Sequence, residues 1–215
     1  MRETAKKIQI IEQLTKAIHD ERHQSYVKHE ITELLTQRIF QIICGYEDAN
    51  DSNELRIDPG FKVSCGRLPS EADLASQPTI TRFENSISKK DLYRIAEVFI
   101  DQFVASYETP PEAIFLDIDD TDDETHGAQQ MSLFNAYHDE YCYMPLFIFE
   151  GQTGKLVTSI LRPGKRLNGT DIKHLAKGHV FTKKYIHLYA FLNIAFGLYN
   201  MLKNQVYELI GLTLQ

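Results

Sequence analysis

Six carboxylates stand within eight residues at Asp117-Ile118-Asp119-Asp120-Thr121-Asp122-Asp123-Glu124, directly after the apolar residues Ile114, Phe115 and Leu116. Side chains alternate along a strand, so a strand running into this segment places Asp117 and Asp119 on one face at its exposed end. Paired carboxylates in that position suit Mg²⁺ (or Mn²⁺), which takes one or two protein carboxylates and leaves its other positions to water and phosphate oxygens.

Three chemistries use acids of this kind. An EF-hand loop needs Gly at its sixth position and Glu at its twelfth. Counting from Asp117 gives Asp122 and Ala128, which excludes it. The pattern Asp117-x-Asp119-x-Thr121 also resembles the first motif of haloacid-dehalogenase-type phosphatases, with Asp117 as nucleophile and Asp119 as acid/base. Lys173, Lys177, Lys183 and Lys184 offer the lysine such enzymes require, but beyond Glu150 the only acids are Asp171 and Glu208, so the further acidic pair is missing. The third is two-metal phosphodiester cleavage on an RNase H-like fold, whose first Asp lies on the first strand of an antiparallel hairpin sheet. The order of elements fits this third chemistry best.

Weaker candidates lie elsewhere. His126, His138 and Cys142 lack a fourth partner and match no common zinc spacing, so they read as ordinary polar or packed residues. In Leu74–Asn85, Ser76 or Gln77 can cap a helix that has Pro78 at its first position. Gln77, Thr79, Thr81 and Arg82 then fall on the opening turns, where a recognition helix presents side chains to a DNA groove. Any capped surface helix shares that appearance.

The elements that must position these residues differ between the two halves of the chain. Val27–Cys44 carries apolar residues near helical spacing, with Glu30, Glu33, Gln37 and Arg38 mostly off that stripe, and Gly45 ends it before the polar turn Tyr46–Asn53. Lys89–Ser106 is a second strong helix, and Thr109-Pro110-Pro111 breaks the chain after it. Beyond that break the period becomes that of strands, at Ala113–Ile118, Tyr143–Phe149 and Leu156–Leu161, with a hairpin turn at Glu150–Gly154. Together these make a three-stranded antiparallel sheet.

With 215 residues, 43% of them hydrophobic, the chain has ordinary globular composition, which excludes collagen-like and disordered classes. Its net charge of −7 provides no global basic excess, so DNA contact must come from local patches. One such patch is Lys155–Lys184, where eight Lys or Arg face the single Asp171, a local +7. The three cysteines are dispersed and fit a reducing cytosol. Charges interrupt the apolar N-terminal run, so no signal peptide is expected. Tyr185–Leu202 is long enough for a membrane span, but His187, Asn193, Asn200 and three tyrosines favour a buried terminal helix over one in a membrane.

Several stretches, taken in order, resemble a known family. They are Gln37-Arg38-Ile39, Gly45-Tyr46-Glu47-Asp48-Ala49-Asn50-Asp51, Asp58-Pro59, Leu74-Ala75-Ser76-Gln77-Pro78-Thr79 and Arg82-Phe83-Glu84-Asn85. Leu116-Asp117-Ile118-Asp119-Asp120-Thr121, His126-Gly127, Gln129, Phe134-Asn135, Pro145-Leu146 and Leu161-Arg162-Pro163-Gly164-Lys165-Arg166 continue them. The chain is similar in this way to DDE transposases of bacterial insertion sequences, the group-1 DDE-domain family, over about residues 20 to 175.

The resemblance implies an α+β protein. A helical region over residues 1–110 binds transposon-end DNA, and an RNase H-like catalytic domain over 111–215 ends in an apolar helix at about 185–203. It places the first catalytic acid and metal ligand at Asp119, with Asp117 as the alternative or as an orienting neighbour. DNA contacts are expected from Gln77, Thr79, Thr81 and Arg82, and from Arg162, Lys165 and Arg166. The family's second Asp and its later Glu have no counterpart here, so the catalytic domain reads as incomplete and the chain as a truncated or internally deleted transposase. Expected partners are transposon-end DNA and a second copy or a full-length transposase, in the cytoplasm, with no membrane. The alternatives are a non-catalytic DNA-binding or transposase-interacting regulator and an Asp-x-Asp-x-Thr phosphatase.

Overall fold

Apolar residues at helical spacing dominate the first hundred residues, and helices form where they do. The structure, a computed structural model, describes residues 2–109, 111–125, 132–160 and 164. Its helices are α1 (Arg2–Lys7), α2 (Ile10–Ala17), α3 (Ile31–Ile43), α4 (Ser52–Leu55), α5 (Pro59–Ser64), α6 (Gln77–Ser86) and α7 (Lys89–Ala105). Local chemistry fixes their ends. Asp58 caps α5 by accepting the Phe61 amide at 2.6 Å, with Pro59 in the first turn. A reciprocal Ser88–Asp91 capping box opens α7, and the same Asp91 carboxylate accepts the His19 amide at 3.0 Å, tying the end of α2 to the start of α7. Gly45 leaves α3 at φ 88, a left-handed conformation that side chains resist.

The expected helix over 27–44 begins at Ile31, and the expected turn over 46–53 contains a 3₁₀ turn at Ala49–Asp51 and the start of α4. A larger difference concerns which face of α3 is buried. Alongside Ile31, Leu34, Leu35, Ile39 and Phe40, the helix also buries Gln37, Arg38 and Gln41. A helix enclosed on several sides must satisfy its inward polar groups internally. Gln37 does so by exchanging two 2.8 Å bonds with the backbone of Ala75, giving from Nε2 and accepting at Oε1. Gln41 donates to the Asp48 carbonyl at 2.7 Å and accepts from the Ser52 hydroxyl at 2.7 Å. Arg38 donates from Nε to Glu84 Oε1 at 2.5 Å and from Nη2 to the Glu47 carbonyl at 2.9 Å.

Among the described residues six strands follow: β1 (Leu116–Asp120), β2 (Asp123–Glu124), β3 (Leu133–Asn135), β4 (Glu140–Tyr143), β5 (Leu146–Glu150) and β6 (Leu156–Ile160). The expected antiparallel sheet is present in the order β1-β5-β6. A second sheet, β2-β4-β3, was not anticipated from the sequence, and the architecture is α+β. The two sheets are in register with one another. Asp120 faces Leu146 and Asp123 faces Tyr143, so the register is unchanged across the gap between them. Pro145 has no amide to give there, while its carbonyl accepts the Thr121 amide at 3.2 Å. The expected strand 143–149 is split for that reason.

Helix α7 packs on β6, and Phe147 and Leu156 join the same apolar core as Ile10, Leu14, Leu35 and Ile80. The terminal segment 185–203, with its expected apolar helix, lies outside the described residues. Among the described residues no helix is long and apolar enough to cross a membrane.

Removing one partner of a buried ion pair strands the other charge, which costs about 3–5 kcal/mol. Arg38→Met is expected to lower stability by that amount in urea unfolding. Arg38→Met/Glu84→Leu should recover most of the loss, because no charge is left buried. A single-variant loss below about 1 kcal/mol, typical of exposed pairs, would refute the assigned role.

Candidate functional site

Alternation along β1 does what the sequence expects of it. In register, Asp117 lies opposite Phe149 and Asp119 opposite Phe147, and opposed residues of an antiparallel pair share a face. The two carboxylates therefore stand on the face where the Phe147 and Phe149 rings stack at 6.1 Å and meet the core. The helix covering that face packs on β6, at the far side of the sheet, and every residue of β1 remains exposed. The Asp117 and Asp119 carboxylates make no hydrogen bond or ion pair with other described residues.

This donor set fits a hydrated Mg²⁺: two carboxylates two residues apart on one face, with no cation already neutralising them. It does not make a two-metal cage. Among the described residues no three His, Cys, Asp or Glu side chains gather to hold an ion. Of the weaker zinc candidates, His126 lies outside the described residues, and His138 pairs with Asp122 at 3.7 Å. Cys142 is buried, and desolvation followed by the neighbouring Glu140 pushes its thiol up, away from the thiolate that zinc requires.

Two stretches of the resembling pattern meet at the second sheet. Buried Asn135 donates from Nδ2 to the Gly164 carbonyl at 3.0 Å and accepts the Tyr137 amide at 3.0 Å. A Cβ at Gly164 would collide with the carbonyl oxygens of Cys142 and Leu133, so the backbone approaches β3 and β4 as only glycine allows. Arg162, Lys165 and Arg166 lie outside the described residues.

The four polar residues expected on the opening turns of α6 separate into two pairs. Gln77 and Thr81 bond to each other at 3.0 Å, Nε2 to Oγ1. Thr79 and Arg82 instead line an open groove of about 560 Å³. Ser76 is the N-cap residue, but its side chain makes no cap bond, and Asn53 accepts the Gln77 amide at 3.2 Å instead.

The segment between α2 and α3 also lines the groove with Arg22, His23, Tyr26 and Lys28, as do Arg56 and Asp73. Four cations against one carboxylate make this a basic groove on an acidic protein. None of Arg22, Tyr26, Lys28 or Arg56 was singled out from the sequence. They lie on irregular segments, where no period or motif marks them, and only the fold brings them together.

A buried and a half-buried cation shape this region. Lys62 donates to the carbonyls of Pro69 and Glu71 at 2.8 and 2.6 Å. Arg67 donates to the Asp73 carbonyl at 2.7 Å and pairs with Glu33. The loop so held presents Asp73 to Arg56 at 2.7 Å.

Residues 1–187 match the family described as transposase DDE domain group 1. The chain belongs to that family. No curated protein and no solved structure matches it. Within this transposase-family chain, much of the resembling pattern has structural work to do: Gln37, Arg38, Asp58, Pro59, Ala75 and Glu84 cap, pair and lock the helices. Thr79 and Arg82 reach the groove, and Asp117 and Asp119 stand exposed on β1.

The wall of the groove has a pH signature. Arg22, by hydrogen bonding, holds the Asp20 carboxyl down from 3.8 to about 2. A carboxyl lowered on folding contributes stability that is complete above its ordinary value and lost as pH falls through the folded one. The Asp20–Arg22 tie is therefore expected to persist at pH 4 and to release as pH falls to about 2. The Asp20 carboxyl carbon shift in NMR reports this, and a midpoint near 4 would overturn it.

Proposed function

We propose that this chain is an insertion-sequence transposase, or a partial derivative of one, that binds transposon-end DNA through its helical part. Asp119 is then the divalent-cation ligand of strand cleavage and transfer, with Asp117 beside it as second ligand or orienting neighbour. The observation that carries this reading is the pair of uncompensated carboxylates on one face of β1 in a member of the DDE transposase family. The antiparallel order β1-β5-β6, with the acids on its first strand, supports an RNase H-like assignment for the second half.

The residues supply position and charge. The ladder with β5 fixes the β1 backbone, so both carboxylates leave the strand in the same direction. Bound there, Mg²⁺ or Mn²⁺ would polarise a phosphoryl oxygen and lower the pKa of an attacking hydroxyl or water. The basic groove at α6 neutralises DNA phosphates, which gives affinity that falls with salt. One carboxylate pair holds at most part of a two-metal site. We accordingly read the catalytic core as incomplete, to be completed by a full-length transposase. Family membership favours neither the phosphatase nor the regulator alternative.

The test uses the full chain with terminal-repeat DNA and Mn²⁺. Calorimetry is expected to find weak Mn²⁺ binding that Asp119→Asn removes and Asp117→Asn weakens. End-specific DNA binding should survive both changes, with no strand transfer by the chain alone. Metal binding untouched by either substitution would reject the assigned ligands, and robust strand transfer would reject the incompleteness.

A further inference from the structure

The groove beside α6 contains more than phosphate-binding charge. At its rim Tyr26 is 87% exposed, held on a 3₁₀ turn whose amides donate from Tyr26 to the His23 carbonyl at 3.0 Å and from Val27 to the Gln24 carbonyl at 3.2 Å. The His23 ring stands 5.3 Å from the Tyr26 ring, tilted by 49°.

Arg22 clamps this turn. Its Nε and Nη2 fork onto Asp20 at 2.7 and 2.8 Å, and its Nη1 donates to the His29 carbonyl at 2.9 Å. Both ends of the turn are thus fixed, and the ring is presented without being buried. Its placement contributes nothing to the core, so the restraint serves presentation rather than packing.

Two further cations of the groove are free to meet an anion. Lys28 makes no ion pair with described residues, and Arg82 donates only to the Thr79 hydroxyl, at 3.2 Å. Arg56 gives one edge to Asp73. An outward aromatic face beside unneutralised cations is the arrangement that binds single-stranded nucleic acid, phosphates on the charges and a base on the ring.

We infer that this groove holds an unpaired nucleotide of the DNA, its base stacked on Tyr26 and its flanking phosphates on Lys28 and Arg82. The inference rests on the DNA-binding reading above and deepens it: the chain binds a frayed or single-stranded segment in preference to a flush duplex. Arg22 acts as a positioning residue, through the turn that carries Tyr26.

Fluorescence anisotropy of the full chain separates the two claims, using a labelled oligothymidine, a flush duplex and the same duplex with a single-stranded overhang. Tyr26→Ala is expected to weaken binding of the oligothymidine and the overhang about tenfold or more, leaving the flush duplex within about twofold. Tyr26→Phe keeps the stacking face and should restore wild-type affinity. Lys28→Gln and Arg82→Gln should weaken all three probes and reduce the salt slope by about one each.

Tyr26 lies outside the apolar core, so circular dichroism of Tyr26→Ala should match the parent. DNA binding that Tyr26→Ala leaves unchanged, or weakens equally for all probes, would overturn the stacking inference alone. No binding to any probe would overturn the DNA reading together with it.

Discussion

The helical half depends on one buried ion pair. Arg38 and Glu84 are 1% and 2% exposed, and a 2.5 Å bond joins α3 to α6. Charges taken out of water are tolerable only when paired and bonded, so each holds the other in a single arrangement. Arg38 has a second bond to the Glu47 carbonyl, and Gln37 and Gln41 on the same helix bind Ala75, Asp48 and Ser52. Three polar side chains of α3 thereby fix the segment after it, the segment before α6 and α6 itself. Apolar packing alone is non-directional and would allow α6 to rotate or slide. The polar lock gives α6 one azimuth, and that azimuth points Thr79 and Arg82 into the groove while Gln77 and Thr81 bond to each other.

What the sequence makes legible follows the range of the signal. The extents of α6 and α7, the left-handed Gly45 and the three strands of the first sheet all arise from short-range chemistry: caps, turn residues and alternation. The inward face of α3 is different. Gln37 and Arg38 fall mostly off the apolar stripe, and only partners at positions 75 and 84 make their burial tolerable. The local charge count conceals this too, since Glu84 is one more acid in a capped surface-like helix until Arg38 is placed against it.

The candidate site divides in the same manner. The two acids are legible because their spacing equals the strand repeat. The groove residues are not, because Arg22, Tyr26, Lys28 and Arg56 occupy turns and helix ends between regular elements. Their proximity is a product of how α3, α5 and α6 are locked, and no local pattern encodes it. The resemblance contributed most where the pattern is structural: Asp58-Pro59 opens α5, and Gly164 fits where a side chain would strike two carbonyls.

Strand order explains why the acids on β1 remain usable. Asp117 and Asp119 share a face with Phe147 and Phe149, which on a central strand would place carboxylates beneath a packed helix. Desolvating them there without partners would cost several kcal/mol each. In the order β1-β5-β6, the central strand carries the phenylalanines, α7 packs at the β6 side, and the acids stand at the opposite margin in water. The strand repeat separates their Cα atoms by roughly 6.5 Å, a distance two short carboxylate arms can close around one cation. The same alternation that sends Phe147 into the core therefore aims Asp119 along its flank, with a backbone held by the β5 ladder and a side chain still hydrated.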